Sequence, residues 1–170
     1  MPESADVFYV TDTSVFVDVL AVGIEEGFFG LRLIVTTDFI VRESRRNPTC
    51  HEMLLRRQAA GQLDVRPLDA DQLMLVEALT IERPGLSPYD CSVYVLARAL
   101  PGQLLTGDAA LRKYALSQNV ETHGLLYVVE LLRAGGWCAA GEACDYLERW
   151  AEVNARAPVG LIDDYCLAWR

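Results

Sequence analysis

The sequence lacks the features of a membrane-spanning or secreted chain. No apolar run approaches the roughly 20 residues that a helix needs to cross a bilayer. The first ten residues, MPESADVFYV, are acidic ahead of the first apolar run, whereas a secretory signal begins with positive charge. We therefore expect a cytoplasmic protein that has no contact with a membrane.

The ligand pairs of a structural zinc site are also missing. The five cysteines are odd in number, none belongs to a C-x-x-C pair, and only two histidines, His51 and His123, are present. Small domains usually build their zinc sites from such pairs. The cysteines are therefore interpreted as small buried or incidental thiols.

Basic residues are scarce. The chain has 15 Lys and Arg against 24 Asp and Glu, which gives a formal net charge of −9. This balance weighs against nucleic-acid binding, because phosphate affinity normally comes from Lys and Arg. The objection weakens where carboxylates hold divalent cations, because bound ions reverse the local sign of the charge. Net charge alone therefore leaves a nucleic-acid partner open.

The 170 residues, 52% of them apolar and 23% charged, suit one globular domain, and no repeat or low-complexity linker divides them. Short β-rich runs predict strands over 7–11, 31–35, 63–65, 104–106 and 120–122. Helical stretches separate them, with Pro48 ending the helix that reaches Arg46, and only helices follow Gly135. This alternation predicts an α/β fold, a doubly wound parallel sheet of about five strands with helices on both faces. The prediction is one domain over 1–170, with a core over about 7–132 and a helical extension over 136–170.

Acidic residues follow the predicted strands. In open parallel sheets, ligands bind outside the carboxyl ends of the strands. Asp12 ends the first strand, and Asp108 follows the fourth. Asp90 lies in the first turn of the helix that Ser87 opens, and Glu43 lies about one turn into the helix after the second strand. We expect all four acids on the same edge of the sheet.

Each of these acids also has a purely structural explanation. Asp108 can cap the helix that starts at Ala109, and Asp90 can form a capping box with Ser87. Glu43 can be a solvated helix residue. Asp12 is the hardest to explain in this way, because an acid that ends an apolar strand would be partly buried. The functional interpretation therefore depends on the four acids as a set.

That set resembles a known family. The segments YVTDTSVFVDVL, VTTDFIVRES, GLSPYDCSVYVLARAL and LLTGDAALRKYA contain Asp12, Glu43, Asp90 and Asp108 at intervals of 31, 47 and 18 residues. They resemble the four acidic motifs of PIN-domain nucleases, in that family's order, and the likeness extends over about 7–132. THGLLYVVELL is similar to a segment that follows the last motif in some prokaryotic, VapC-like members.

The resemblance implies a sheet of order 3-2-1-4-5, in which Asp12 and Asp108 end adjacent strands while Glu43 and Asp90 approach from flanking helices. Carboxylates gathered in this way repel one another, and a hard cation relieves the repulsion. Oxygen ligands without a nearby histidine favour Mg²⁺ or Mn²⁺ over zinc. The implied site is therefore a magnesium or manganese site.

The implied activity is that of an endoribonuclease that hydrolyses RNA phosphodiester bonds with metal assistance. Asp12 and Asp108 would contact the metal most directly, Asp90 directly or through water, and Glu43 would bind metal or orient the attacking water. Hydroxyls that could bind a metal water or a phosphate oxygen are those of Thr13, Ser14 and Thr106. Helix capping explains Thr13 and Ser14 equally well.

RNA binding needs positive charge near these acids. The densest basic stretch comprises Arg42, Arg45, Arg46, Arg56 and Arg57, and Arg112-Lys113 follow Asp108. We interpret these basic residues as contacts to backbone phosphates, with Arg45, Arg46 and Arg112 as the main candidates. A solvated helix face is the alternative interpretation.

Several settings remain open. The chain can be the toxin of a toxin–antitoxin pair, held inactive by a cognate antitoxin, or it can be a nuclease of RNA processing. We expect a homodimer. The non-enzyme alternative is a PIN-like module that only binds RNA or protein. A phosphatase of the haloacid dehalogenase type needs an acid where Ser14 stands, and a receiver domain needs an Asp at the end of the third strand, which is absent. Both of these are therefore disfavoured.

Overall fold

The computed structural model describes residues 7–31 and 33–170. Residues 1–6 of the predicted domain and Arg32 of the predicted second strand lie outside the described residues. The strands are β1 (Phe8–Thr11), β2 (Ile34–Thr37), β3 (Asp64–Arg66), β4 (Gly102–Leu105) and β5 (Thr122–His123). The helices are α1 (Thr13–Val22), α2 (Glu25–Gly30), α3 (Asp38–Glu43), α4 (Pro48–Ala59), α5 (Ala70–Glu82), α6 (Pro88–Ala99), α7 (Ala109–Ser117), α8 (Leu125–Ala134), α9 (Ala140–Val153) and α10 (Val159–Trp169), with a short 3₁₀ turn at Ser44–Arg46.

The strands form one parallel sheet of order β3-β2-β1-β4-β5. The central strand β1 pairs with β2 through Tyr9 opposite Ile34 and with β4 through Val10 opposite Leu104. The predicted doubly wound fold and its strand order 3-2-1-4-5 are confirmed. The chain runs outwards from β1 through β2 to β3 and then crosses back to β4 on the other side of β1, so the switch point of the sheet lies between the ends of β1 and β4.

Helices cover the sheet in two groups. Helix α6 lies across β1, β2 and β4, with α3, α5 and α7 beside it, whereas α1 packs with α2, α4, α8 and α9. Fully buried side chains of the strands fill the space between, among them Val10, Val35 and Leu104. No helix in the described part of the chain is both long and apolar enough to cross a membrane.

The cysteines lie in this core as free thiols. Cys50, Cys91, Cys144 and Cys166 are buried, and Cys138 is half-buried. Burial raises the pKa of the Cys50 thiol to about 11, which keeps it protonated and unreactive at neutral pH. The interpretation as small buried thiols is confirmed.

Several element boundaries differ from the prediction because of local backbone geometry. Strand β2 begins at Ile34 rather than 31, since Leu33 has a φ of 63°, which no extended strand contains. Helix α2 was not predicted. Pro48 begins α4 as its first residue, and the Asn47 side chain accepts a hydrogen bond from the Cys50 amide. The helical segment predicted to reach Arg46 does end before Pro48, and the further helix that the sequence predicts over about 50–60 begins two residues earlier, at Pro48.

Strand β4 begins two residues earlier than predicted, at Gly102, and ends at Leu105. A Cβ atom at Gly102 would collide with the backbone of Phe8, its partner on β1. Glycine is rare in strands, so composition did not indicate it, but here only glycine allows the two strands to approach.

The C-terminal extension packs against α1. Helix α9 contacts both α1 and α8, and α10 packs on α9. The Arg149 guanidinium donates to the Val22 carbonyl at 2.7 Å, and the Asn154 amide donates to the Asp18 carboxylate at 3.1 Å. Asp18 is 7% exposed, and its burial raises its pKa. The extension therefore supplies a hydrogen bond to a buried acid of the core.

Asn154→Ala removes that donor and should lower the free energy of unfolding at pH 7 by about 1–3 kcal/mol, because a buried acceptor is left without its partner. Urea denaturation measures the loss. In the Asp18→Asn background the loss should be smaller, because an uncharged side chain costs less to bury. Equal losses in both backgrounds would show that the charge of Asp18 contributes nothing to its contact with Asn154.

Candidate functional site

The four predicted acids come from separate segments that meet at the carboxyl edge of the sheet. Asp12 directly follows β1, and Asp108 lies three residues after the end of β4. Glu43 is the last residue of α3, and Asp90 lies in the first turn of α6. The charges of Asp90 and Glu43 raise the pKa of Asp12, and the charge of Asp108 raises that of Asp90. The four acids thus form one electrostatically connected cluster, which we call the acidic cluster.

Asp12 is the buried member of the acidic cluster, with 4% of its surface exposed. Burial, the largest influence, raises its pKa to about 6, against the hydrogen bonds from Thr106 and Ser14, which lower it. An acid with a raised pKa holds its negative charge at a cost in free energy. Nothing in helix capping explains that cost, because the Asp12 side chain makes no capping hydrogen bond to α1.

Two hydroxyl groups link Asp12 to the loop that carries Asp108. Asp12 Oδ2 accepts hydrogen bonds from Thr106 Oγ1 at 2.7 Å and from Ser14 Oγ at 2.9 Å. In turn, Thr106 Oγ1 accepts from the Asp108 amide at 3.0 Å, and Ser14 Oγ accepts from the Gly107 amide at 2.9 Å. Each hydroxyl thus donates its single proton to Asp12. Their predicted role towards metal water or phosphate stays a prediction, whereas their role in holding this loop is direct.

The structural explanations for Asp108 and Asp90 are both realised. Asp108 Oδ1 accepts from the Leu111 amide at 2.8 Å and caps α7. Asp90 Oδ2 accepts from the Ser87 amide at 2.8 Å, and Ser87 Oγ accepts from the Asp90 amide at 3.1 Å, which completes the capping box. Each cap uses one carboxylate oxygen. The same side chains can therefore cap a helix and present their second oxygen to a ligand.

Glu43 is half-buried and is fixed by a contact to the residue after Asp12. Thr13 Oγ1 donates to Glu43 Oε2 at 2.6 Å. The carboxylate of Glu43 therefore turns inwards, where its charge acts on Asp12. The alternative that Glu43 is only a solvated helix residue does not account for this contact.

A buried chain of hydrogen bonds joins the helices of Glu43 and Asp90. The Ile40 amide donates to Thr37 Oγ1 at 3.3 Å, Thr37 Oγ1 lies 2.8 Å from Ser92 Oγ, and Ser92 Oγ donates to the Tyr89 carbonyl at 2.7 Å. Because Ser92 has one proton and a carbonyl can only accept, Thr37 must donate to Ser92. Both hydroxyl residues are fully buried. This pair therefore locks α3 onto α6.

The sequence segment Thr36-Thr37-Asp38 predicts a helix cap, which Thr37 provides, but the partnership of Thr37 with Ser92 was not predicted. The signal was a serine inside the apolar run CSVYVLA, where a polar side chain on a buried helix face needs a partner.

Thr37→Val keeps the shape of the side chain but leaves the Ile40 amide and Ser92 Oγ without their partner. We expect a loss of about 1–3 kcal/mol in the free energy of unfolding, measured by urea denaturation. Thr37→Ser keeps the hydroxyl and should retain most of the stability. If Thr37→Val retained the stability of the wild type, the hydrogen bonds of Thr37 would contribute nothing to the fold.

Of the arginines predicted to bind phosphate, Arg45 and Arg46 lie in the 3₁₀ turn directly after Glu43 and are exposed. The Arg46 guanidinium lies 5.7 Å from the centre of the Tyr89 ring, beside Asp90. Arg112 is instead engaged in the fold, since it donates to the Thr106 carbonyl at 3.0 Å.

Two members of the basic stretch are paired with acids. The Arg57 guanidinium is buried and donates to Glu26 at 2.6 Å, and Arg42 pairs with Asp38 at 3.1 Å. The inclusion of Arg57 among RNA-binding residues is therefore wrong, because its burial leaves no surface for a phosphate. Arg42 is half-exposed and its pairing is weak by nature.

The acidic cluster suits a hard divalent cation in its chemistry. All its donors are carboxylate oxygens, and the recorded hydrogen bonds of Asp12, Asp90 and Asp108 engage only one oxygen of each. Within residues 7–31 and 33–170, however, no three Asp, Glu, His or Cys side chains stand close enough to enclose one ion. An ion shared by the cluster would therefore require these carboxylates to move closer together.

Comparison with known proteins identifies no family for this chain. No protein-family model matches this sequence, and a search of curated proteins finds no match. Among solved structures, the chain is similar to the crystal structure of PAE2754 from Pyrobaculum aerophilum, at 19% sequence identity and a TM-score of 0.45. The match covers 62% of this chain and 77% of that one.

Proposed function

We propose that this chain is a Mg²⁺- or Mn²⁺-dependent endoribonuclease of the PIN type. The observation that carries the proposal is the buried carboxylate of Asp12, whose pKa is raised to about 6 by burial and by the neighbouring charges of Asp90 and Glu43. Buried carboxylates with a raised pKa are concentrated at functional sites, where a bound ligand or the reaction itself offsets the cost of burying the charge. The order and spacing of the four acidic motifs support the same interpretation.

The acidic cluster would hold the metal through Asp12 and Asp108, with Asp90 binding directly or through water. A metal bound there would polarise the scissile phosphate and lower the pKa of the attacking water. Glu43 has a carboxylate oxygen, Oε1, beside the one that Thr13 fixes, and it would orient that water and accept its proton. Ser14 and Thr106 hold the Asp108 loop against Asp12, so they keep the two metal ligands together.

A protein partner is also proposed. Helix α5 exposes Leu73, Met74, Leu75 and Ile81, between 44% and 75% of each side chain. Exposed apolar side chains in such number on one helix favour contact with another protein. We propose it as the interface of a homodimer or the contact of a cognate antitoxin. Light scattering across a concentration series distinguishes a monomer from a dimer.

Cleavage assays on the purified chain test the nuclease proposal. We expect single-stranded RNAs to be cut internally in Mn²⁺ or Mg²⁺, and cleavage to stop in EDTA and return when Mn²⁺ is restored. Mixed-sequence RNA, with RNA duplex and single-stranded DNA of the same sequence, covers the substrate classes. Binding of RNA without cleavage under any metal condition would instead favour the non-enzyme module.

A further inference from the structure

A cleft lies between two segments that lead to Asp90 and Asp108 of the acidic cluster. It has a volume of about 400 Å³ and runs between the turn before α6 and one face of α7. Its walls include Arg83, Pro84, Leu86, Lys113 and Tyr114. The turn continues through Ser87 into the capping box of Asp90, and α7 begins directly after Asp108. A molecule in the cleft would therefore extend towards both acids.

The walls combine flat, apolar and cationic groups. The Arg83 guanidinium lies over the Tyr114 ring, 5.1 Å from its centre, and the Tyr94 ring lies 4.9 Å behind Tyr114. A guanidinium that lies over an aromatic ring can stack a nucleobase on its other side. Leu86 adds an apolar wall, and Lys113 is exposed at the rim.

Basic side chains outnumber acidic ones in the wall of this cleft, where Arg83 and Lys113 are the two cations. The whole chain, by contrast, has 15 basic and 24 acidic residues. Glu82 is the one acid in the cleft wall. This local excess of basic side chains favours an anionic ligand over a cationic one.

We infer that this cleft binds one nucleotide of a single-stranded RNA next to the bond that is cut, with its base stacked on Arg83 and its phosphate at Lys113. This inference rests on the proposed ribonuclease function and names the path of its substrate. A helix of a partner protein, about 10 Å across, fits the cleft poorly, whereas a flat base fits between a guanidinium and an apolar wall.

Kinetics of two variants test the path. In Arg83→Ala and in Lys113→Ala we expect KM for a single-stranded RNA of about 12 nucleotides to rise by about tenfold, with kcat changed less than twofold. The salt dependence of RNA binding should also fall by about one phosphate contact for Lys113→Ala. Arg156→Ala, an exposed arginine of the C-terminal extension, is the matched control and should leave KM unchanged.

Lys113 is the only lysine of the chain, which permits a footprint that does not depend on cleavage. An amine-reactive reagent modifies its ε-amino group, and mass spectrometry of the peptide gives the rate with and without the same RNA in Ca²⁺ buffer. We expect RNA to slow this modification at least fivefold. If RNA slows the modification of Lys113 but the protein cleaves no RNA, the cleft binds RNA and the proposed ribonuclease activity is wrong.

Two outcomes would contradict RNA binding in the cleft. Cleavage by the wild type, together with unchanged KM in both variants and equal modification of Lys113 with and without RNA, would reject it while leaving the ribonuclease standing. Slower modification that depends on protein concentration and not on RNA would show that a second copy of the chain covers Lys113.

Discussion

Asp12→Asn lowers Mn²⁺-dependent RNA cleavage by about a thousandfold or more, which is about 4 kcal/mol in the activation free energy. Asparagine matches aspartate in size and keeps an oxygen that can accept the hydrogen bonds of Ser14 and Thr106. It removes the negative charge that a divalent cation needs. Initial rates of cleavage at saturating RNA, over a range of Mn²⁺ concentrations, measure the loss.

Asp163→Asn is the matched control, because Asp163 is an exposed acid on α10 and the same change there removes one charge far from the sheet edge. Its cleavage rate should equal that of the wild type. Circular dichroism and urea denaturation establish that Asp12→Asn folds. Equal cleavage by the wild type and a folded Asp12→Asn would remove Asp12 from the site and with it the proposed function.

The alternation of strands and helices and the location of the acids could be predicted because each depends on a strong local pattern, whereas the strand order 3-2-1-4-5 was implied by the resemblance to PIN-domain nucleases. Strand β1 is an apolar run that ends at an acid, and parallel pairing with β2 and β4 brings the ends of these strands to one edge. The capping roles of Asp90 and Asp108 followed from spacing alone. Sequence and structure agree here because neighbouring residues determine both features.

The rest depends on contacts between distant segments, which no local pattern encodes. The positive φ of Leu33, the close approach at Gly102 and the bond from Thr13 to Glu43 all involve residues far apart in sequence or a single backbone angle. The emphasis within the site changed for the same reason. We expected Asp12 and Asp108 to interact most directly, but the charges that raise the Asp12 pKa are those of Asp90 and Glu43, which arrive on helices.

In the metal-free protein, the free energy of unfolding should rise as the pH falls from 7.5 towards 4.5. Burial raises the pKa of Asp12 to about 6, above its ordinary value of 3.8, so between these values the folded protein holds a proton that the unfolded chain has released. Protonation therefore stabilises the fold, and the gain from Asp12 amounts to about 2–3 kcal/mol. It is present at low pH and is lost as the pH rises through about 6.

Other acids titrate in the same range, so the comparison with Asp12→Asn isolates this contribution. Asparagine resembles the protonated acid, and the variant should exceed the wild type in stability by about 2–3 kcal/mol at pH 7.5 in EDTA, with the excess shrinking towards pH 4. Urea denaturation at several pH values measures both proteins. Excess Mn²⁺ at pH 7.5 should stabilise the wild type and not the variant, by about 2.7 kcal/mol at one hundred times its dissociation constant. A difference that does not change with pH would show that the charge of Asp12 carries no cost in the folded state, because only a titrating group makes the difference depend on pH.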